Sequence, residues 1–272
     1  KELPLLPGYI IVILWTAFIF CMIGWIILAS LSTTKEIFTG SLLASGLHFE
    51  NYTKALFTNK AALNLLNSVI YTVPSCILII VVCAPAAYCM SRFKFRGAGL
   101  IQALIIIGLA IPNIMIVMPL FSVVSALNLS GTHFTLIFLY TACSVPYTTF
   151  FLLTFFKGIS TSFEEAAAID GCGPIRTFFS VVLPMLRPTL ISVGILEVMW
   201  VWNDYLLPSL VLDINEYKTI PIHVQYLQGS YGTADLGATM AVMMFSIVPI
   251  IIVYLFCQKY IIKGVAAGAV KG

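Results

Sequence analysis

Two carboxylates stand inside an otherwise apolar stretch of the sequence, a setting in which ionisable side chains are rare. Glu197 and Asp204 flank Trp200, Trp202 and Asn203. Carboxylates accept hydrogen bonds from hydroxyl groups, and aromatic faces pack against the apolar faces of ring compounds. A path for a polar, uncharged solute would use both kinds of contact, and these five residues are the candidates for it.

The spacing of the two carboxylates along a helix limits the chemistry that they can share. Glu197 follows Arg187 by ten residues, and Asp204 follows Glu197 by seven. Ten residues are ~15 Å of helix, which places Glu197 near the middle of a bilayer. Seven residues are ~700° of rotation, so the carboxylates lie on nearly one face, with their backbones ~10.5 Å apart. That distance is long for a catalytic pair and no nucleophile is evident, which disfavours an intramembrane hydrolase.

A purely structural interpretation of these residues stays open. Glu197 would then be protonated or bonded to a neighbouring helix, and Asp204 would sit in headgroup water. The aromatic side chains would be ordinary packing or interfacial residues. Ionisable groups inside a membrane nevertheless cost roughly 2.5–3.5 kcal/mol on insertion scales and are functional candidates by default. We therefore expect Glu197 to line the path.

The composition decides the class of protein. The chain has 272 residues, of which 60% are hydrophobic and 9% charged, whereas soluble domains are about 45–50% apolar and about 25% charged. So few charges cannot cover a globule of this size. A soluble domain, a disordered chain, a nucleic-acid binder and a collagen-like fibre are therefore excluded, and an integral membrane protein remains.

Charge-free stretches that are long enough to cross ~30 Å of hydrocarbon define the predicted membrane spans. Residues 97–156 carry no charge, and because so long a helix exceeds one crossing, the polar segment 125–133 must divide it. Six spans follow, at 9–30, 63–90, 99–122, 133–156, 188–212 and 236–258. We expect them to form one α-helical bundle, a single transmembrane domain over 1–272.

The distribution of Lys and Arg predicts the orientation. Ten of the fourteen Lys and Arg residues fall on one side of this arrangement, and the side richer in these residues faces the cytoplasm. We therefore expect both termini and the loops 91–98 and 157–187 to be cytoplasmic. Segments 31–62, 125–133 and 213–235 should face outward.

The sequence offers no pattern for a metal site or for nucleotide chemistry. Its seven cysteines are scattered, without a C-x-x-C pair or a His/Cys cluster. His48, His133 and His223 fall in outward segments and are expected to be solvated loop residues. There is no G-x-x-x-x-G-K-[ST] motif, so the chain cannot cradle ATP phosphates in that way. We expect no catalytic residue and no metal in this chain.

The loop 157–187 begins with a helix-start pattern. Thr161 with Glu164 and Ser162 with Glu165 both match the capping box, in which a hydroxyl and a carboxylate exchange backbone hydrogen bonds. The two glutamates also favour a helix N-terminus through the helix dipole. A short helix over 162–170 follows from this pattern.

The same loop continues with residues that form and then end a helix. The three alanines at 166–168 are strong helix formers, and Gly171 is a typical C-terminal stop. Pro174 suits the first turn of a second short helix. The loop is therefore predicted to be a helix-turn-helix on the inner membrane face, although a passive interfacial connector would have the same pattern.

These motifs have a known counterpart. Glu165-Ala166-Ala167, followed by Asp170-Gly171 and Leu183-Pro184, resembles the EAA loop of permease subunits of binding-protein-dependent ABC importers. Cys172 stands where that family usually has Ala, which exchanges one small residue for another. In the family, this loop is the coupling helix that docks into a cleft of a cytoplasmic ATPase. The resemblance assigns ATPase coupling to Glu164, Glu165, Ala166, Ala167, Asp170 and Gly171.

The resemblance extends over nearly the whole chain. The segment 112–121 with Leu127-Asn128 and Thr132-His133 is similar to the third and fourth spans of the carbohydrate branch. Trp202-Asn203-Asp204 looks like the Trp-Asn-acidic motif of its fifth span, and 268–272 looks like its usual tail. The likeness is strongest to the second permease of maltose-type and related oligosaccharide or glycerophosphodiester importers.

The resemblance implies a six-span, type I ABC importer permease in the plasma membrane of a prokaryote. Its expected partners are a second homologous permease, two cytoplasmic ATPases that hold ATP and Mg, an extracytoplasmic solute-binding protein and a sugar-like solute. No cofactor is expected in this chain and no nucleic acid among its partners. The alternative is a proton-coupled secondary transporter using Glu197, which leaves the Glu-Ala-Ala loop without a role. A structural membrane scaffold is a third possibility.

Overall fold

The computed structural model describes residues 6–228 and 235–269, and side chains for 6–227 and 235–260. Lys1 and residues 270–272 of the C-terminal motif lie outside the described residues. The described chain is all-helical, as predicted, and its helices are α1 Leu6–Ser30, α2 Thr34–Thr39, α3 Glu50–Thr53, α4 Ala61–Arg92, α5 Ala98–Ala110, α6 Asn113–Ala126, α7 His133–Lys157, α8 Ser162–Ile169, α9 Pro174–Thr177, α10 Leu183–Met185, α11 Arg187–Asn203, α12 Leu206–Val211, α13 Ile220–Gln228 and α14 Leu236–Ala269. Two π-helical segments, Lys54–Thr58 and Phe178–Val182, follow α3 and α9.

Four of the described helices, α1, α4, α7 and α14, are each long and apolar enough to cross a membrane. Two bent pairs raise this number to six if each pair counts as one span. The pair α5–α6 is bent by 107°, and the pair Pro174–Met185 with α11 is bent by 77°. The predicted number of six spans is thus reached only if each bent pair counts as one span.

The third predicted span, 99–122, is wrong as one continuous helix. It divides into α5 and α6 at Ile111, which has an extended backbone with φ −85° and ψ 119°. Pro112 follows directly, and the ring of a proline disfavours the helical conformation of the residue before it. The local sequence therefore breaks the helix in the middle of an apolar stretch.

The fifth predicted span, 188–212, is also interrupted. Helix α11 ends at Asn203 and α12 begins at Leu206, so the break lies just before Pro208. The ring of a proline clashes with the carbonyl four residues before it, which here belongs to Asp204. That residue is extended, with ψ 132°.

The described chain divides into two compact units. The first comprises Lys1–Leu66 and Thr219–Pro249, and the second comprises Asn67–Lys218 and Ile250–Gly272. The prediction of a single transmembrane domain stays a prediction. In the first unit a small apolar core forms from residues of the π segment, α4, α13 and α14: Ala55, Ala61, Ile220, Ala241 and Val242.

A buried carboxylate organises the segment between α1 and α4 in the first unit. Glu36 accepts hydrogen bonds from the backbone N–H of Thr33 at 2.8 Å and from the backbone N–H and hydroxyl of Ser45 at 2.5 and 2.7 Å. These bonds, led by that of the Ser45 hydroxyl, lower the pKa of Glu36 to about 2. The side chain therefore stays ionised and holds the turn around it.

The histidines are less solvated than expected. His48 Nδ1 lies 2.5 Å from Glu50 Oε1, and His133 Nδ1 lies 2.6 Å from the hydroxyl of Tyr71. His223 is buried in α13, so the expectation of a solvated loop residue is wrong for it. Histidine is intermediate in its tendency to be buried, so its place in an outward segment does not by itself predict exposure.

Helix α7 lies at the centre of the second unit. It packs against α5, α11 and α12, and ten of its residues are buried. Its C-terminal half contributes Leu152, Leu153 and Phe156 to a core that also contains Phe178 and Val182. This packing fixes α7 as the element from which the functional side chains project.

The contact between α5 and α7 depends on a glycine. A Cβ on Gly108 would lie 2.8 Å from Cγ and 3.0 Å from Cβ of Pro146, whose ring cannot turn away. We expect G108V to lower the free energy of unfolding by about 1–3 kcal/mol, as overpacking does. Gly99 in the same helix has open space around it, so G99V is the matched control. Thermal denaturation in mild detergent compares the two, and equal midpoints would contradict the close contact.

Candidate functional site

Three hydroxyl side chains project from one face of α7. Tyr140, Ser144 and Thr148 are spaced by four residues and all three are buried. Residues four apart lie one above the other on a helix, so they form a single row. We call this set the hydroxyl row.

The hydroxyl row binds the carboxylate of Glu197 on α11. Ser144 donates to Oε2 at 2.7 Å, and Thr148 donates to Oε1 at 2.5 Å. Glu197 is only 3% exposed, and each carboxylate oxygen has one hydroxyl donor. Both oxygens of the buried carboxyl group are therefore hydrogen-bonded, as a buried polar group requires.

The third member of the row binds the second carboxylate. Tyr140 donates to Asp204 Oδ2 at 3.0 Å, and Asp204 Oδ1 accepts the backbone N–H of Leu206 at 3.1 Å. The ring of Trp200 meets that of Tyr140 edge-on, with the centroids 5.6 Å apart. Glu197 and Asp204 thus both face α7, while Asp204 also caps the start of α12.

A cavity of about 450 Å³ lies within the second unit beside this row. It is bounded by the α5–α6 break, by α7 and by α11. Its polar and aromatic lining residues are Asn113, Cys143, Ser144, Tyr147, Glu197 and Trp200. The volume is within the range of about 300–1,000 Å³ that small-molecule sites occupy.

The structure divides the five predicted path residues. Glu197 and Trp200 line the cavity. Trp202 is buried on another side of α11, and Asn203 is exposed, with its amide donating to the carbonyl of Met199. Asp204 holds Tyr140 and caps α12. Their part in transport stays a prediction, but the geometry favours the first two.

Sequence reasoning missed the lining residues outside α11. Asn113 follows the proline break, and Ser144 and Tyr147 lie on α7. One available signal was the four-residue spacing of Tyr140, Ser144 and Thr148 in a charge-free span. Hydroxyls at this spacing, opposite a span with two carboxylates, indicate a paired face.

The loop helix α8 agrees with its predicted bounds but not with its predicted cap. It spans Ser162–Ile169, close to the expected 162–170. It ends before Gly171, whose φ of +79° is the left-handed conformation expected of a helix stop. The capping boxes are wrong, because Thr161 has a helical backbone and no side-chain cap bond.

The carboxylate of Glu164 instead binds the end of α4. Arg92 Nε lies 2.6 Å from Glu164 Oε1, and a second guanidinium N–H donates to the carbonyl of Ile159 at 2.9 Å. The side chains of Arg92 and Glu164 are only 9% and 16% exposed. This ion pair joins the end of α4 to α8, two segments that are 72 residues apart along the chain.

The two glutamates of the loop therefore face different surroundings. Glu164 is turned inward to Arg92, whereas Glu165, Ala166 and Asp170 are exposed. Ile169 is 87% exposed, an unusual position for a large apolar side chain. Ala167 is buried and lies on the inner face of α8. The outer face of α8 thus offers an acidic and apolar surface to a partner.

Within the described residues, no group of three or more His, Cys, Asp or Glu side chains is placed to hold a metal ion. Of the two carboxylates in α11 and its end, one is bonded to hydroxyls and the other to a hydroxyl and a backbone N–H. Both carboxylates are thus held by groups of the protein, and of the two only Glu197 also lines the cavity.

Comparison with known proteins adds to this geometry. Residues 77–267 match the family model described as binding-protein-dependent transport system inner membrane component. The chain is 33% identical to the diacetylchitobiose uptake system permease protein NgcG of Streptomyces coelicolor, covering 97% of this chain and 88% of that protein. It is 30% identical to the trehalose/maltose transport system permease protein MalG of Thermococcus litoralis, covering 100% and 98%.

A solved structure has the same fold. It is a chain of a bacterial ABC transporter involved in the import of the acidic polysaccharide alginate. The TM-score is 0.83 at 23% identity, and the match covers 96% of this chain and 98% of that one.

Proposed function

This chain belongs to the family of binding-protein-dependent transport system inner membrane components, and on that premise we propose that it moves a sugar or oligosaccharide. It is a multi-pass transport subunit and not an enzyme. In the proposal it is a permease of an ATP-driven ABC importer and forms, with a second permease, an alternating-access pathway. Relatives named for diacetylchitobiose and for trehalose and maltose support the solute class.

The observation that carries this proposal is the cavity between the α5–α6 break, α7 and α11. Glu197 offers hydrogen-bond acceptors, and Trp200 offers an aromatic face. A sugar presents hydroxyl groups at its rim and C–H groups on its faces, so it needs both kinds of contact. Tyr147 and Asn113 add further polar groups to the same cavity.

We further propose that α8 is the coupling helix. ATP and Mg bind to two separate cytoplasmic ATPases, and an extracytoplasmic solute-binding protein delivers the solute. When the ATPases close, α8 moves as a rigid element and the Arg92–Glu164 pair carries that movement to α4. The excess of Lys and Arg on the α8 side supports a cytoplasmic location for this helix and for both termini.

The test is to purify the tagged chain in mild detergent and to identify by mass spectrometry the proteins that accompany it. We expect a second permease and an ATPase. The change I169S should remove most of the ATPase but not the second permease, because it deletes the exposed apolar contact of α8.

The matched control is F38S, which changes a side chain that is 79% exposed in the segment 31–62, which is predicted to face outward. It should leave the ATPase bound. A chain recovered alone, which still transports solute in vesicles without an ATPase, would contradict the importer and support a proton-coupled carrier using Glu197.

A further inference from the structure

The cavity carries one negative charge that the rest of its lining does not offset. Glu197 is the acidic member of the lining that the structure describes, and that lining has no Lys, Arg or His. Asn113, Ser144, Tyr147 and Trp200 supply neutral polar groups. Glu197 therefore supplies the formal charge of the described lining, and Asp204 lies close enough to act on Cys143 as well.

The contacts of Glu197 fit the ionised carboxylate. The hydroxyl donors of Ser144 and Thr148 lie 2.7 and 2.5 Å from its oxygens. Because an ionised carboxylate only accepts hydrogen bonds, two separate donors satisfy it without any proton of its own.

These contacts also leave acceptor capacity for a solute. A carboxylate has about four lone-pair sites, and the two hydroxyls of α7 occupy two of them. Since Glu197 lines the cavity, its remaining sites are available to hydroxyl or ammonium groups there. A carboxylate or sulfonate group on the solute has no donor to offer and brings a second negative charge.

We propose that Glu197 determines the charge of the transported solute: the cavity accepts uncharged or cationic polyhydroxylated molecules and excludes anionic ones. Like charges repel strongly where protein and lipid replace water. A binding site commonly discriminates through such a repulsive element as well as through attraction. The inference rests on the proposed pathway and adds the solute's charge to it.

Cys143 provides a probe at the site, because its thiol also lines the cavity and is partly exposed. The full chain, in membranes with its native partners, is treated with two methanethiosulfonate reagents of similar size. One carries a trimethylammonium group and the other a sulfonate. Mass spectrometry of the Cys143 peptide gives both labelling rates at this residue, so the other cysteines need not be substituted.

We expect the ratio of cationic to anionic labelling at Cys143 to exceed that of a free thiol in the same buffer by about tenfold or more. In E197Q the ratio should fall clearly towards the free-thiol value, and the carboxylate of Asp204, which also acts on the Cys143 thiol, should account for the remainder. The control E216Q removes an exposed carboxylate that is not part of the cavity lining, and it should keep the wild-type ratio.

If E197Q does not assemble, N113K neutralises the cavity from α6 and should lower the ratio in the same way. The proposal would be overturned if the wild-type ratio at Cys143 equals the free-thiol value. It would also be overturned if the raised ratio persists in both E197Q and N113K. A thiol that reacts with neither reagent would also overturn it, because the cavity would then admit no solute. The labelling needs no ATP and no known solute, so it succeeds or fails independently of the pull-down.

Discussion

The change E164R is expected to reduce ATP-driven uptake by about a hundredfold or more, while the chain still inserts into the membrane. It places two cations together at a site where both side chains are mostly buried. Breaking a buried ion pair by removing one partner costs about 3–5 kcal/mol, since the other charge is left without compensation. Helix α8 would then detach from the end of α4.

The reverse exchange separates positioning from a general loss of stability. R92E should be as damaging as E164R, and the double change R92E/E164R should recover much of the uptake because it restores an opposite pair. Lys94 is exposed on the same loop, so K94E is a matched charge reversal that should retain uptake. Uptake and ATPase activity of the reconstituted complex are the measurements. Full uptake by R92E would show that the pair does not position α8.

The second large effect is expected from removing the donors to Glu197. S144A/T148V leaves a buried carboxylate without its two hydroxyl bonds. Because a buried charge that loses its partners is strongly penalised, the free energy of unfolding should fall by about 2–5 kcal/mol. The shift of the thermal midpoint in mild detergent measures this loss.

A third substitution distinguishes a structural from a functional carboxylate. Adding E197L to the double variant removes the unpaired charge and should restore most of the stability, but uptake should remain low. T141V is the matched control, because the Thr141 hydroxyl bonds to the carbonyl of Ile137 in its own helix. Normal uptake by the triple variant would exclude Glu197 from the solute path.

Local sequence signals predicted the helix of the loop 157–187 and the approximate positions of the apolar helices. The alanines before Gly171 gave the helix and its end, and charge-free stretches gave the positions of the spans. The paired face of α11 also followed from the seven-residue spacing of Glu197 and Asp204. These features depend on neighbours within two helical turns, where periodicity and propensity are informative.

Features that depend on distant residues could not be predicted in this way. The partner of Glu164 is Arg92, and their contact replaced the capping box that local spacing favoured. The cavity exists because Pro112 breaks a helix beside α7, which no hydropathy count detects. Where the local sequence allows several structures, tertiary contacts decide which of them forms.

The first helix shows how differently two spans of one chain are constrained. Of the 25 residues of α1, only Ala29 and Ser30 are buried within the described chain. Helix α7 also has 25 residues, and ten of them are buried. A side chain that meets no complementary surface in its own chain is selected for hydropathy rather than for shape. Over evolutionary time, Leu, Ile, Val and Phe should therefore exchange freely wherever α1 faces lipid and not the second permease, while α7 should keep the size and hydroxyl groups of Tyr140, Ser144 and Thr148.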